Sequence, residues 1–476
     1  MANTYALPVC LAPLAATLVA ATNLLYASPA SLCTSPLNSN VGCEFYAVSM
    51  PNLFLTETTT YHFGVAIQNP GAAAVAITVT GGGLGSPDMF SIPAGSSVTT
   101  QLPWVSSLST SSATAKVVGG AYHITTSGPA SALQLNALEP SSSVNDASLL
   151  LPVQSAGTAY RAVVWPTYGI GGSDYPGNIA IVATAAGTTV QVVAPGTIQA
   201  GAGLDASGGM VALDQGDVLL IASKLDAVDA AYGSDLSGTL ITSDKPVIVW
   251  TGHAGTYVPA GTGFADHLEE ILPPISALGN DYFIVRPGDV TGTDTGSRYF
   301  VKVVGNVDGT LLTTDPTVAG VPVSLDAGAS TTFEATVNFR LQTSQPAAVG
   351  LFMEGFFAPN FTAGDPSQSI AIPTPQARRL VDFIAPISFA PIYAQIVAPT
   401  AAAIVVDAAP VTGWTAIGSS GYSEARVALC CTDAHHASGD KPFLLSVHAY
   451  PAAGSTSYWY PGALGTDDQI FRNGFE

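Results

Sequence analysis

The chain is poor in charge, and poorest in basic residues. Only 10% of its 476 residues are charged, and 13 Lys and Arg stand against 33 Asp and Glu, for a net charge of −20. So few cations, so scattered, cannot make the positive stripe that neutralises phosphates, which excludes nucleic acid as a partner. Long apolar runs are also missing. The stretch from Ala6 to Leu25 is interrupted by Pro8, Pro13 and Asn23, which makes it a poor membrane span. Its small residues, with Ala27 or Ala30 ahead of a cleavage site, instead suit an export leader over residues 1–30, although no basic residue precedes Lys116. Gly-x-Ser-x-Gly, the Walker Gly-Lys-Ser/Thr, Gly-x-Gly-x-x-Gly and HExxH are all absent, so the common hydrolase, nucleotide, dinucleotide and zincin signatures are excluded. The protein is expected not to be an enzyme. Cysteine is scarce as well. If Cys10 leaves with the leader, Cys33, Cys43, Cys430 and Cys431 remain, an even number that suits an oxidising compartment.

Turn formers and small or β-branched residues take the place of charge. Gly and Pro are abundant (48 and 34), and hydrophobic residues make up 47%. That content buries a core and excludes disorder, while Val, Thr and Ile favour strands over helix bundles. From residue 42 onward a pattern of about a hundred residues recurs. A unit opens on Gly and an aromatic strand: GCEFYAVSM, GTAYRAVVW, GNDYFIVRP and a weaker LVDFIAP. A strand, a small-residue turn, a β-branched strand and a hairpin follow. A motif with a central Pro comes next: YHITTSGPASALQL, ITSDKPVIVW, LQTSQPAAVGLF and ASGDKPFLLSV. A linker strand then joins one unit to the next: NDASLLLPV, ADHLEEILPP, GDPSQSIAIP and, near the end, STSYWYPG. Segments of five to eight residues alternate between apolar and polar and are bounded by Gly, Asn, Asp or Pro, the mark of half-buried strands.

These patterns predict an all-β domain over residues 31–464, with repeats near 42–144, 145–264, 265–363 and 364–464 and a tail at 465–476. Eight meanders of about fifty residues match the size of propeller blades. The first unit has no linker strand before Gly42, whereas the C-terminus supplies one with nothing after it. The expectation is therefore a closed β-propeller of seven or eight blades, built from four double-blade repeats and sealed by C-terminal strand closure, which would remove free sheet edges. Tandem β-sandwiches are the alternative.

Four places collect polar or aromatic groups. His253, Asp266 and His267, with Glu269 and Glu270, offer imidazoles and carboxylates for a metal or for base catalysis. Neighbours in a strand face opposite ways, however, so Asp266 and His267 cannot easily share one ion. Asp146 and Asp365 hold the place of Asp266 in the other linkers without a His, which points to a role in the fold. Asp289 and Asp294 in GDVTGTDTGS are candidate Ca²⁺ ligands, though two acids are few for so hard an ion. Cys430 and Cys431 precede His435 and His436, but adjacent ligands chelate badly and exported thiols oxidise. A bond between neighbouring cysteines would be strained. Cys33 with Cys43, or a link between the two pairs, stays open. Finally, Trp165, Tyr168 and Tyr175, with Tyr458, Trp459 and Tyr460, could stack on a sugar or anchor a protein, or could be core.

Taken together, GCEFYAV, NDASLLLPVQSAGTAYRAVVWP, ITSDKPVIVWTGH and DHLEEILPPISALG resemble the N-terminal domain of IgG Fc-binding protein and its bacterial relatives over nearly all of residues 42–464. The resemblance implies a non-enzymatic extracellular binding or adhesion domain and does not by itself imply antibody binding. Family members often carry cysteines before Asp-His-Leu, whereas Ala265 stands there in this chain. The final TDDQIFRNGFE resembles a short Ile-Phe-x-x-Gly-Phe-Glu tail of exported proteins in some Gram-negative bacteria. The resulting expectation is a secreted or surface-displayed module, associated with a membrane only through export or display. It would bind an extracellular protein or glycan through loops, with His253, Asp266, His267, Tyr168 and Tyr175 as candidate contacts and no cofactor. The alternative is a secreted hydrolase or lyase using His253, His267 and the nearby acids.

Overall fold

A computed structural model describes Cys33 and residues 40–55, 58–288, 298–355, 364–450 and 456–464. It is all-β, with helix confined to single short turns. The central-Pro motif does not reverse the chain. It is one long bent strand, continuous at Tyr122–Asn136, Leu240–Thr256 and Ala434–Ala449 and interrupted only between Phe339–Thr343 and Ala347–Met353. Proline cannot donate to a ladder, so each motif spends a few residues on a bulge. In Leu240–Thr256 the register shifts between Thr242 and Val247. The Ser243 hydroxyl meets the Lys245 carbonyl at 2.7 Å, and Thr343 meets the Gln345 carbonyl at the same distance.

Everything else in a unit is hung on that strand. In the second unit its first half pairs with Gly157–Arg161 and Thr188–Val193, and its second half with Gly177–Ala183 and Asp266–Ile271. Gly208–Leu213 and Val218–Ala222 form the outer edges, and Ala115–Val117 is added from the first unit. The result is an eight-stranded sheet folded across its middle into two halves that share the long strand, with an apolar interior, as in sandwiches whose strands cross from one sheet to the other at a bend. The first, third and fourth units repeat the plan.

This arrangement differs from the expected one in two respects. The strands of each half are not consecutive, so the halves are not meanders and the sheets are sandwich-like. The linker strand pairs with the long strand before it: Asp146–Leu150 with Tyr122–Asn136, and Tyr458–Pro461 with Ala434–Ala449. Hydrogen bonding therefore completes each unit internally, and the C-terminal strand is not lent to the first unit. The reason is local. The chain leaves the long strand through a short loop and folds back along the same strand, which is cheaper in entropy than a closure across the whole chain.

A Gly-Tyr lock sets the unit openings. The Tyr160 hydroxyl donates to the Val247 carbonyl at 2.6 Å and accepts from the Gly157 amide at 2.8 Å. Tyr282 repeats this with Ala347 at 2.7 Å and Gly279 at 2.9 Å. The Gly must lack a side chain, since a Cβ on Gly42, Gly157 or Gly279 would lie 2.3–2.4 Å from Pro152, Pro274 or Pro373. Those prolines end the linker strands, so the first and last strands of a unit interlock.

Candidate functional site

The four linker strands lie against one another, Asp146–Leu150 beside Asp266–Ile271, then Ser367–Ile370, then Tyr458–Pro461, which returns to Asp146–Leu150. Polar groups join them. The Asp146 carboxylate accepts from the Glu269 amide (3.1 Å), the Gln368 amide (3.0 Å), the Ser367 hydroxyl (2.8 Å) and the Ala147 amide (2.9 Å). One side chain thus ties three units together. Ser457 bonds the backbone of Asp365 as donor and as acceptor, and Thr456 donates to the Asn145 side chain at 2.8 Å. Asp146, Asp266 and Asp365 are all buried. Burial pushes each carboxyl well above the usual range, and Asp266 is raised further by the negative charges of Asp365 and Asp146. The aspartate shared by the linkers therefore belongs to the packing of unit on unit.

The two histidines are also interior. His253 Nε2 donates to the Pro166 carbonyl at 2.9 Å while Nδ1 accepts the Gly255 amide at 3.1 Å, which defines a neutral ring. Burial drives its pKa down to about 3. His267 Nδ1 lies 2.7 Å from the Pro51 carbonyl and 3.1 Å from that of His253, and both can only accept. Its Nε2 faces Glu269 Oε2 at 3.2 Å, and that oxygen also accepts from Asn136. Every imidazole nitrogen has a structural partner, and neither ring is exposed. Among the described residues no group of three or more His, Cys, Asp and Glu is placed to hold a metal. Asp289 and Asp294 lie outside the described residues.

Loops from the first three units meet beyond these strands. The Leu53 amide donates to the Ala254 carbonyl and the Gly355 amide to the Val258 carbonyl, each at 2.8 Å. Tyr175, at the end of the hairpin formed by Tyr168–Ile170 and Ser173–Tyr175, stacks on Phe54 with ring centres 4.7 Å apart. Tyr168 is buried against Tyr232 and Tyr257. Trp165 is core, packed on Phe352 at 4.6 Å, as are Trp459, Tyr458 and Tyr460. Of the candidate contacts only Tyr175 reaches solvent in part. Two apolar residues that sequence reasoning passed over are more open: Phe264, 45% exposed, and Val228, 74% exposed beside the Tyr168 hairpin. Nothing in alternation marks a residue on an irregular loop as outward-facing. Lys302 was missed as well. It is buried, with Nζ on the Val164 carbonyl at 2.6 Å, Asp235 at 2.8 Å and Ser237 at 3.2 Å, and 5.3 Å above the Trp165 ring. It pins the third unit to the second.

Cys33 and Cys43 form a disulfide, and neither is joined to Cys430 or Cys431. No helix among the described residues is long and apolar enough to cross a membrane.

Repeated all-β units with a buried polar centre that cross-links the linker strands, and loops gathered above it, define a scaffold of the kind that presents a binding surface. The profile of the family described as IgGFc binding protein matches residues 146–449, more than half of the chain, and the chain belongs to that family. No curated protein matches it. Among solved structures, a protein of Corynebacterium diphtheriae described as membrane anchored aligns at 8% identity. The alignment covers 83% of this chain and 96% of that one with a TM-score of 0.10, and it carries no argument.

Proposed function

We propose that the protein is an exported, non-enzymatic binding module whose four units close into a ring and whose loops at one end contact an extracellular protein or glycan. Family membership supports a binding role. The observation that supports the location is the gathering of loops from the first three units over the linker strands, with Tyr175, Phe264 and Val228 presenting apolar surface there. Rigid aromatic area of this kind supplies contact at low conformational cost.

The test compares the purified chain with a Tyr175→Ser/Phe264→Ser double variant against an array of glycans, a panel of secreted proteins and antibody Fc. The reading expects at least one ligand to bind, a loss of about tenfold or more in the variant, and unchanged unfolding midpoints. Equal binding by both chains would move the surface elsewhere. A hydrolase using His253 and His267 has little support, since both imidazoles spend their nitrogens on buried backbone or carboxylate partners.

A further inference from the structure

The turn at residues 430–433 joins the strands Tyr422–Leu429 and Ala434–Ala449 and carries Cys430 and Cys431, both exposed. Adjacent cysteines on ordinary extended backbone point to opposite faces and hold their sulfurs apart. Here they do not. Cys431 has φ of 76°, a left-handed conformation that a residue with a Cβ seldom adopts, and this swings its Sγ to 2.7 Å from that of Cys430. That separation is well inside a non-bonded sulfur contact and close to the roughly 2.0 Å of an S–S bond.

The turn is also held in place from outside. The Asp433 carboxylate accepts the Ile387 amide and the Asp433 carbonyl accepts the Ala385 amide, each at 2.7 Å. Thr432 Oγ1 accepts the Ala434 amide at 3.0 Å. The backbone conformation needed to bring neighbouring sulfurs together is therefore set by the fold before any bond forms.

We infer that Cys430 and Cys431 are a thiol–disulfide exchange site that closes to a vicinal disulfide on reaction with a low-molecular-weight disulfide. One cysteine, as thiolate, attacks a sulfur of RSSR, forming a mixed disulfide and expelling RS⁻, which is protonated to RSH. The thiolate of its neighbour attacks the protein sulfur of that mixed disulfide, closes the ring and expels the second RSH. Two protein thiols are oxidised and one RSSR is reduced to two RSH. Exposure gives the reagent access, and the preset sulfur approach makes the second step intramolecular and fast compared with capture by another chain.

The experiment uses the full chain, incubated with oxidised glutathione, alkylated with iodoacetamide and digested for mass spectrometry. The expected peptide holding residues 430 and 431 is about 2 Da lighter than its dithiol form and carries neither alkyl group nor glutathione. In a Cys431→Ser chain the same peptide should instead retain one glutathione on Cys430, because the resolving thiol is gone. The inference is overturned by two alkylated cysteines in the oxidised wild-type peptide. It is equally overturned by a lasting glutathione adduct there, or by linkage of either cysteine to Cys33, Cys43 or a second chain.

Discussion

At the scale of the residue, the chemistry-bearing side chains are spent on the interior. His253 would pass for a catalytic base in sequence, yet it holds the Pro166 carbonyl and the Gly255 amide together. His253→Ala should cost about 2–4 kcal/mol in denaturant unfolding, because it leaves a buried donor and acceptor unpaired beside a cavity. The same ring carries a pH signature. Its folded pKa of about 3 lies below the unfolded value near 6.5, so its contribution is complete above pH 6.5 and is lost as pH falls towards 3. Asp146 ties three units, and Asp146→Asn turns one acceptor oxygen into a donor that faces amides. It should destabilise by about 1–3 kcal/mol, seen as a lower melting temperature.

At the scale of the element, the motif Gly-x-x-Tyr explains where a unit begins. The Gly leaves room for the closing Pro of the linker strand, and the Tyr hydroxyl bridges the Gly amide to the long strand just after its bend. Gly279→Ala should destabilise by about 1–3 kcal/mol, since its Cβ would meet Pro373 and one or both must move. The matching change at Gly309, a turn position with open space around it and φ of 67°, should cost less, about 1 kcal/mol, through conformation alone. Equal costs in chemical denaturation would contradict the interlock. The opening glycines, the tyrosines and the bend prolines are all legible in sequence because they recur. What could not be read was that the bend keeps the strand's direction. A Pro between two β-branched runs looks alike whether the chain reverses or only kinks. The choice depends on the strands alongside, and the opening strand Gly157–Arg161 runs past the bend, pairing with Leu240–Thr242 before it and with Val247 after it.

At the scale of the whole molecule, the buried carboxyls make stability depend on pH in an unusual direction. Asp146, Asp266, Asp365 and Glu270 have folded pKa values raised above the unfolded range near 4, chiefly by burial. The native chain then keeps protons that the unfolded chain releases. For these groups stability is full below about pH 4 and declines as pH rises towards the folded values. Asp266→Asn mimics the protonated form and should gain about 1–2 kcal/mol at pH 8 relative to wild type, a gain that vanishes near pH 4. A difference that does not change with pH would show that Asp266 is not protonated in the folded chain. Removing the chain after residue 455 would strip the strand Tyr458–Pro461 from Ala434–Ala449 and expose the linker strands Asp146–Leu150 and Ser367–Ile370 that it covers. The expected outcome is loss of cooperative unfolding by calorimetry rather than a modest shift.

The sequence by itself determined the all-β class, the fourfold repetition, the unit openings and the equivalence of Asp146, Asp266 and Asp365. Each of these rests on alternation, turn chemistry or recurrence, which are local properties. Tertiary structure alone decided that every unit is a folded sheet on one bent strand and that each linker strand closes its own unit. It also decided that the histidines and Trp165 are interior while Phe264 and Val228 are open, and that Cys430 and Cys431 touch. Those outcomes turn on which edges find partners and which side of a loop meets neighbouring units. A period of two residues along a strand carries no information about either.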